Sequence, residues 1–185
     1  MRYLFTVCIA ATAALMFVSC NKMGSGNDAA MMRMDSIKKS NIDGYMKVTE
    51  MFQSGKTDGI EKYVADNIVD HQAMPGQKQG LAGLKEMITN MKAAYPDMKF
   101  TVNHITADSN MIWAQTTMSG TNSGPWMGMP PTNKKINVEG VDIIKLGPDG
   151  KATDHWGYME EMKMMTQLGL MPPMGGAPPA ADAKQ

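Results

Sequence analysis

In the first half of the chain, apolar and polar positions alternate with the period of an α-helix. One apolar stripe begins after Asp35 and Ser36, either of which can cap a helix, and stops at Gly55. Another runs from Leu81 to Ala94 and stops before Pro96, which cannot continue a helix. Each predicted helix has one apolar face that needs a surface to pack on. The stripe residues are Ile37, Asn41, Tyr45, Val48 and Phe52 in the first helix and Leu81, Leu84, Met87, Ile88 and Met91 in the other.

A shorter apolar stretch lies between these two helices. Ile60 to Val64 predicts a further short helix, with Thr57 or Asp58 as its N-cap and its end near residues 66–67. A loop that contains His71 then leads to the helix that begins at Leu81.

The period changes to that of β-strands in the second half. Residues 100–105, 111–118, 136–146 and 151–158 are rich in β-branched and aromatic side chains, and Asp149-Gly150 predicts a hairpin between the last two strands. Helices followed by neighbouring strands predict an α+β fold, in which the N-terminal helices pack on one face of a curved antiparallel sheet. Such a sheet leaves a cone-shaped pocket between itself and the helices.

Both ends of the chain differ in composition from this domain. Residues 1–19 have a basic start and an apolar run that is short for a membrane span, which predicts a secretory signal. Ser19-Cys20 resembles the lipobox of bacterial lipoproteins, so Cys20 is the predicted lipidation site; an ordinary cleaved signal that leaves a lone Cys is the alternative. We predict a flexible tether over 20–34, the domain over 35–170 and a disordered tail over 171–185. The protein would then be anchored in the bacterial cell envelope.

Composition narrows the classes of ligand. The chain has 18 basic and 18 acidic residues, which does not favour a nucleic-acid partner. No Arg follows Arg33, so the domain lacks the side chain that clamps carboxylates and phosphates, and a neutral ligand is favoured. Neither a metal nor a cofactor is predicted, because the three His lie on different predicted elements. The 22 Met are interpreted as soft pocket lining, with copper binding as the alternative for the two Met-rich segments.

The last predicted strand carries the clearest candidate chemistry. Alternation along a regular strand places Asp154, Trp156, Tyr158 and Glu160 on one face and His155 on the other. If the first face lines the pocket, an apolar environment would raise the pKa of a carboxyl group there and make it a usable base. The alternatives are that Glu160 begins a solvated turn and that His155 is a hydrogen-bonded structural residue.

A family resemblance rests on short motifs that follow one another in order. They are Tyr95-Pro96-Asp97, Gly120-Thr121, Gly124 to Thr132, Gly140 to Ile143, Asp149-Gly150, Asp154-His155-Trp156-Gly157 and Gln167-Leu168-Gly169. Over about residues 40–170 the chain resembles the SnoaL-like polyketide cyclases, also called ester cyclases, which have the NTF2-like fold. The resemblance implies a place in polyketide metabolism, proton abstraction beside a carbonyl with Glu160 as the base, and pairing of sheets in a homodimer. It also implies that His71 borders the pocket mouth.

Three apolar positions complete the candidate site. Trp113, Trp126 and Met127 are predicted to form the pocket wall or a lid over it, with ordinary core packing as the alternative. Asn122 stands where the family commonly has a His, and Gln115 and Lys145 stand where it has Arg.

Three kinds of function remain open from the sequence. The first is an enzyme with Glu160, Asp154 or His71 in catalysis and with Trp113, Trp126, Met127, Trp156 and Tyr158 against the substrate. The second is a membrane-tethered domain that binds a small molecule without turning it over. The third is a partner-binding module that uses the open face of the sheet.

Overall fold

The computed structural model describes residues 22–172, with side chains described from residue 26 onward. The chain divides between Ser36 and Ile37 into two units, and the sheet and every candidate catalytic residue belong to the second. The predicted signal segment, Cys20 and nearly all of the predicted tail lie outside the described residues, so these assignments stay predictions.

Helix α1 (Lys22–Ser54) ends where the sequence predicts, at Gly55, whose positive φ of 72° suits a residue without a side chain. The helix begins earlier than the predicted domain boundary, because residues 22–34 are helical rather than irregular. The part within the second unit packs through Ile42, Val48 and Met51 on an apolar cluster of the sheet.

The predicted short helix over residues 60–64 is wrong in its second half. A single 3₁₀ turn covers Ile60–Lys62, and strand β1 (Val64–Asp70) follows it. This strand pairs in parallel with the last strand of the chain, and Val64 and Ile68 are buried. Pairing with a strand that is distant in sequence therefore overrides the local helical pattern.

The remaining elements follow the predicted order, with one addition. Helix α2 (Gly80–Ala94) precedes four strands, which are β2 (Lys99–Ala107), β3 (Met111–Thr121), β4 (Lys135–Leu146) and β5 (Ala152–Met159). A last helix, α3 (Glu161–Leu168), follows β5 where the sequence suggested only a turn. Asp149-Gly150 lies in the turn between β4 and β5, as predicted.

The sheet has the order β1-β5-β4-β3-β2. Strands β2 to β5 pair antiparallel, whereas β1 adds a parallel edge, so the sheet is mixed and not antiparallel throughout as predicted. The α+β prediction of helices on one sheet face is confirmed. We call that face the inner face and the opposite one the outer face.

Two apolar clusters occupy the inner face. The first cluster includes Tyr95, Met118, Trp126, Ile136 and Val138, and α3 closes it with Met164 and Leu168. The second cluster includes Ile60, Val64, Ile88, Ile112 and Leu146. Along β4 the first cluster holds residues 136 and 138 and the second holds residue 146, so the middle of β4 lies between them.

Within residues 22–172, no helix is both long enough and apolar enough to cross a bilayer.

Candidate functional site

A β-bulge decides which side chains of β5 reach the inner face. Ala152 pairs with Leu146 and Asp154 pairs with Lys145, so Thr153 is an extra residue on β5. Ala152 is buried on the inner face. Without the extra residue, Asp154 and Trp156 would share that face with Ala152; with it, they turn outward and His155 turns inward.

His155 is the centre of a polar group on the inner face, which we call the inner cluster (Tyr45, Asp70, Asp142 and His155). The ring of His155 places Nδ1 3.2 Å from Asp70 Oδ1 and Nε2 3.3 Å from Asp142 Oδ1. The hydroxyl of Tyr45 on α1 donates a hydrogen bond of 2.6 Å to Asp142 Oδ2. One imidazole thus joins β1, β5 and β4, and the tyrosine joins that group to the helix layer.

Within the inner cluster, the imidazole of His155 carries a positive charge near neutral pH. Burial disfavours the charged imidazole, but hydrogen bonds and charge attraction from Asp142 and Asp70 outweigh burial and raise the pKa of His155 to about 9. Burial also acts against ionisation of Asp70, yet the bonds from His155, Gln77 and the Gln72 amide lower its pKa. Burial and the nearby Asp142 charge raise the pKa of Tyr45, so its hydroxyl stays protonated.

Solvent reaches the inner face at the level of the inner cluster. The side chains of Asp142 and His155 are 30% and 25% exposed, whereas Val138 and Leu146 on the same face of β4 are 1% and 7% exposed. Gly157 lies directly across from Asp142 and contributes no side chain. A Cβ at Gly157 would lie 2.9 Å from His155 Cε1, so the glycine makes room for the imidazole.

The outer face carries a second histidine–carboxylate pair, which we call the outer pair (His71 and Asp154). His71 Nε2 lies 2.9 Å from Asp154 Oδ1, and its ring stacks on Trp156 with centroids 4.4 Å apart. The hydrogen bond to His71 is the main cause that lowers the pKa of Asp154, with Thr153 and Lys145 adding to it. The structure thus brings together three predicted site residues, but on the face that the helices leave open.

Glu160 and Tyr158 lie apart from both groups. Glu160 follows the end of β5 and precedes α3, and its carboxylate accepts hydrogen bonds from Lys163 Nζ and the amide of Glu139. These bonds lower its pKa, the opposite of what a base near neutral pH needs. Tyr158 is 52% exposed on the outer face.

The loop after β3 brings Trp126 into the first cluster. Asn122 is 2% exposed, donates to the Gly124 carbonyl, and accepts from both the amide and the hydroxyl of Thr132. The amide of Gly124 binds the Ala94 carbonyl at the end of α2, where a Cβ would collide with the Ala93 carbonyl oxygen. Asn122 is therefore the brace of this loop, which accounts for an amide side chain there.

The other loop and strand aromatics divide between the two faces. Trp126 packs edge-on against Tyr95 in the interior. Met127 is 53% exposed at the tip of the turn, and Trp113 is 38% exposed on the outer face.

Comparison with known proteins agrees with this architecture. The family model described as SnoaL-like polyketide cyclase matches residues 43–168, which is most of the chain. The chain belongs to the SnoaL-like polyketide cyclase family. Aklanonic acid methyl ester cyclase DauD of Streptomyces sp. (strain C5) is 24% identical over 132 residues, covering 69% of this chain and 81% of the relative. Nogalonic acid methyl ester cyclase of Streptomyces nogalater is 22% identical over 121 residues, covering 64% and 89%.

Solved structures share the fold of this SnoaL-like chain. TsrD from Streptomyces laurentii has a TM-score of 0.63 at 19% identity and covers 72% of this chain and 95% of its own. A SnoaL-like polyketide cyclase from Agrobacterium tumefaciens has a TM-score of 0.59 at 19% identity, covering 70% and 98%. The predicted family and its NTF2-like fold are thereby confirmed.

Sequence reasoning missed three of the four residues that this SnoaL-like chain gathers on the inner face. Asp142 interrupts an apolar strand between Val141 and Ile143, and a charged residue there is the one local signal that was available. Asp70 ends β1, which the local pattern does not predict, and Tyr45 fits the apolar stripe of the first helix. The contacts among them depend on the bulge and the parallel strand, which local patterns do not show.

The charge of the inner cluster in this SnoaL-like chain favours an uncharged ligand, with which its acidic and basic side chains can exchange a proton. Two carboxylates and one imidazolium leave a net negative charge, which disfavours anionic ligands. Among residues 22–172, no group of three or more His, Cys, Asp or Glu side chains has the arrangement of a metal site.

Proposed function

We propose that this protein binds a small neutral carbonyl compound on the inner face and removes a proton from the carbon beside the carbonyl, as in a cyclisation or isomerisation. One observation carries the proposal: Asp142 is a partly exposed carboxylate on a sheet face that the apolar side chains of Val138 and Leu146 close on either side along β4. Two relatives are named methyl ester cyclases of aklanonic acid and of nogalonic acid, and an esterified acid group is uncharged, which agrees with a neutral substrate.

The proposed step uses Asp142 as the base. One carboxylate oxygen of Asp142 takes the proton, the C–H bond breaks, and its electron pair moves through the carbonyl carbon to the oxygen, which gives an enolate. The imidazolium of His155 lies beside this reaction and stabilises the added negative charge through space. Tyr45 fixes the orientation of the Asp142 carboxylate from the helix side. In a cyclisation the enolate carbon then attacks a carbonyl carbon of the same molecule, whose C=O π electrons move to its oxygen, and that oxygen takes the proton from Asp142. In an isomerisation a conjugated enolate takes the proton from Asp142 at its far carbon.

Deuterium exchange tests this assignment without knowledge of the natural substrate. The probe is 1-tetralone, a neutral bicyclic ketone, and the readout is the loss of its α-proton signal by NMR in D₂O. We expect the protein to speed the exchange and Asp142→Asn to reduce the catalysed rate by about 100-fold or more, the usual contribution of a positioned base. Asp43→Asn, an exposed change on α1, is the matched control and should leave the rate unchanged.

Two further variants separate Asp142 from the bases that the sequence suggested. Asp154→Asn removes the outer carboxylate and Glu160→Gln removes the one bonded to Lys163. We expect exchange to persist in both. Loss of exchange in either variant, together with full activity in Asp142→Asn, would return the role to Asp154 or Glu160 and contradict the proposal.

A second candidate function is binding without turnover. Both oxygens of Asp142 already accept a hydrogen bond, one from Tyr45 and one from His155, which favours a carboxylate that shapes the site over one that transfers protons. Binding of 1-tetralone without any acceleration of exchange would support this second function.

Attachment to a membrane through Cys20 and export belong to the same proposal, on the sequence evidence alone. A Cys20→Ser variant should lose incorporation of an alkyne-labelled fatty acid in a bacterial host and appear in the soluble fraction. Retained labelling would show that another residue carries the lipid. A homodimer through the outer face stays a prediction; exposed Val141, Trp113 and Tyr158 lie there.

A further inference from the structure

We infer that Tyr95 and Trp126 form a second ligand-contacting position, in which their O–H and N–H groups bind an oxygen acceptor of the ligand. The inference rests on the proposed function only in placing a neutral ligand on the inner face, and it requires no proton transfer. It narrows the substrate class to a neutral compound with two oxygen groups, the ketone near Asp142 and a second acceptor toward the first cluster.

The starting observation is a pair of buried donors. Tyr95 is 0% exposed and Trp126 is 9% exposed, and their rings pack edge-on with centroids 6.1 Å apart. Within the described part of the chain, neither Tyr95 Oη nor Trp126 Nε1 has a hydrogen-bond partner. Buried polar groups of native proteins are nearly always paired, and an unpaired group destabilises the fold. Two such donors in one apolar cluster indicate an acceptor that comes from outside the chain.

The backbone around Trp126 is tightly constrained. Trp126 and Met129 exchange backbone hydrogen bonds across a tight turn, in which Met127 has a positive φ of 51°. A bulky residue is uncommon in that conformation. The Asn122 brace ties the other side of the loop to Thr132. A tryptophan that served only as apolar filling would not need so constrained a loop, and a smaller apolar residue would leave no unpaired N–H.

The two donors determine which kind of ligand atom can bind between them and the surrounding apolar side chains. Trp126 Nε1–H can only donate, and burial raises the pKa of Tyr95, so its hydroxyl keeps its proton. The surrounding side chains are apolar and include Met91, Met98, Met118 and Met164. Because that environment disfavours a charged ligand atom, the acceptor is a neutral ketone, quinone or ether oxygen. Methionine walls also tolerate ring systems of different shape.

The strand between the two positions sets the length of the ligand. Val138 belongs to the cluster that contains Trp126, and Asp142 lies four residues further along the same face of β4. At roughly 3.3 Å per residue this is a span of about 13 Å. Gly140 lies between them on that face, and its partner on β3 is Thr116. A ligand with an oxygen group at each end would lie along this stretch of β4.

The test compares two probes that differ at the far end only. 6-Methoxy-1-tetralone carries a second acceptor oxygen opposite its ketone, and 6-ethyl-1-tetralone has the same length without it. Affinities are measured by ligand-detected NMR titration of the full chain. We expect the methoxy compound to bind the unmodified protein about three- to tenfold more tightly, the range of one hydrogen bond. Because each donor contributes one bond, Tyr95→Phe and Trp126→Phe should each lower the ratio, and the control Tyr63→Phe, in the second cluster, should keep it.

Thermal unfolding tests whether the Tyr95 hydroxyl has only a structural role. If the Tyr95 hydroxyl has no partner in the protein, Tyr95→Phe should keep or raise the melting temperature, because only an unpaired polar group is lost. A clear fall in the melting temperature, or equal affinities of the two probes for the unmodified protein, would overturn the inference. Failure here remains distinct from failure of the proposed function, since α-proton exchange of 1-tetralone depends on Asp142 and needs no far oxygen.

Discussion

The inner cluster and the outer pair each combine a histidine with a carboxylate, and each uses one of two successive residues of β5, His155 and Asp154. Their surroundings nevertheless give the two histidines different properties. His155 is 25% exposed and lies between two carboxylates, whereas His71 is 36% exposed and faces one carboxylate and an indole ring. The enclosed histidine acquires a pKa of about 9 and links three strands. Enclosure between two carboxylates, rather than burial or residue type, therefore decides which group is a candidate for chemistry, because burial alone would lower the pKa of an imidazole.

Replacement of His155 should be the most damaging change in either group. In His155→Ala, the carboxylates of Asp70 and Asp142 face each other on the inner face without the cation between them. Removal of one member of a buried charge group typically destabilises a protein by about 3–5 kcal/mol. We expect a loss of that size in the free energy of unfolding, measured by urea denaturation at pH 7.

The matched change in the outer pair is His71→Ala. It removes one hydrogen bond to Asp154 and one stacking contact at a partly exposed position, so we expect a loss of about 1 kcal/mol or less. Equal losses for the two alanine variants would show that enclosure does not distinguish the two histidines.

The second largest effect should be a pH dependence of the free energy of unfolding, caused by His155 of the inner cluster. The folded state binds the His155 proton more tightly than the unfolded state, because its pKa rises from 6.5 to about 9 on folding. This stabilisation is complete below pH 6.5 and is lost as the pH rises through 9. The difference corresponds to about 3 kcal/mol.

Urea unfolding at intervals from pH 6 to pH 10 measures this slope. The decline should be absent in His155→Ala and present in His71→Ala. A free energy of unfolding that stays constant between pH 6.5 and 9 would mean that His155 is neutral in the folded protein.

Sequence patterns predicted the features that depend on contacts between neighbours in sequence and missed those that depend on contacts between distant residues. The end of α1 at Gly55, the Asp149-Gly150 turn and the shared face of Asp154 and Trp156 all depend on neighbours in sequence, and all are present. The strand at Val64 depends on parallel pairing with β5, and the inward position of His155 depends on one extra residue, Thr153. A shift of one residue exchanges the two faces of a strand. The alternation of Asp154 and Trp156 along β5 is therefore correct, but the bulge turns these two side chains to the outer face.

A smaller effect is expected where the backbone makes room for His155. In Gly157→Ala the new Cβ would lie 2.9 Å from His155 Cε1 and 3.2 Å from Nε2, and the ring cannot move freely because both nitrogens are bonded. Overpacking of this kind destabilises by about 1–3 kcal/mol. The free energy of unfolding should fall by this amount, and the NMR-measured pKa of His155 should fall with it as its bonds lengthen.

Gly44→Ala is the control for a glycine replacement that meets no obstruction. Its Cβ would lie 3.5 Å from Tyr63 Cδ1, an ordinary contact, within helix α1. We expect a gain of about 0.5–1 kcal/mol, since alanine is the better helix former. A loss at Gly44, or no change at Gly157, would contradict the close fit around the imidazole.

The smallest effect should come from Asp154→Asn in the outer pair. The amide keeps one oxygen that can accept from His71 Nε2, and it loses the charge and the second oxygen, which accepts from the Thr153 hydroxyl, at a partly exposed side chain. We expect a loss of less than about 1 kcal/mol at pH 7, measured by urea denaturation. Because the hydrogen bond from His71 holds the pKa of Asp154 below its usual value, even this contribution disappears as the pH falls through that lowered pKa. A large loss at pH 7 would show that the bulge at Thr153, which Asp154 contacts through the threonine hydroxyl, needs the outer carboxylate to hold His155 inward.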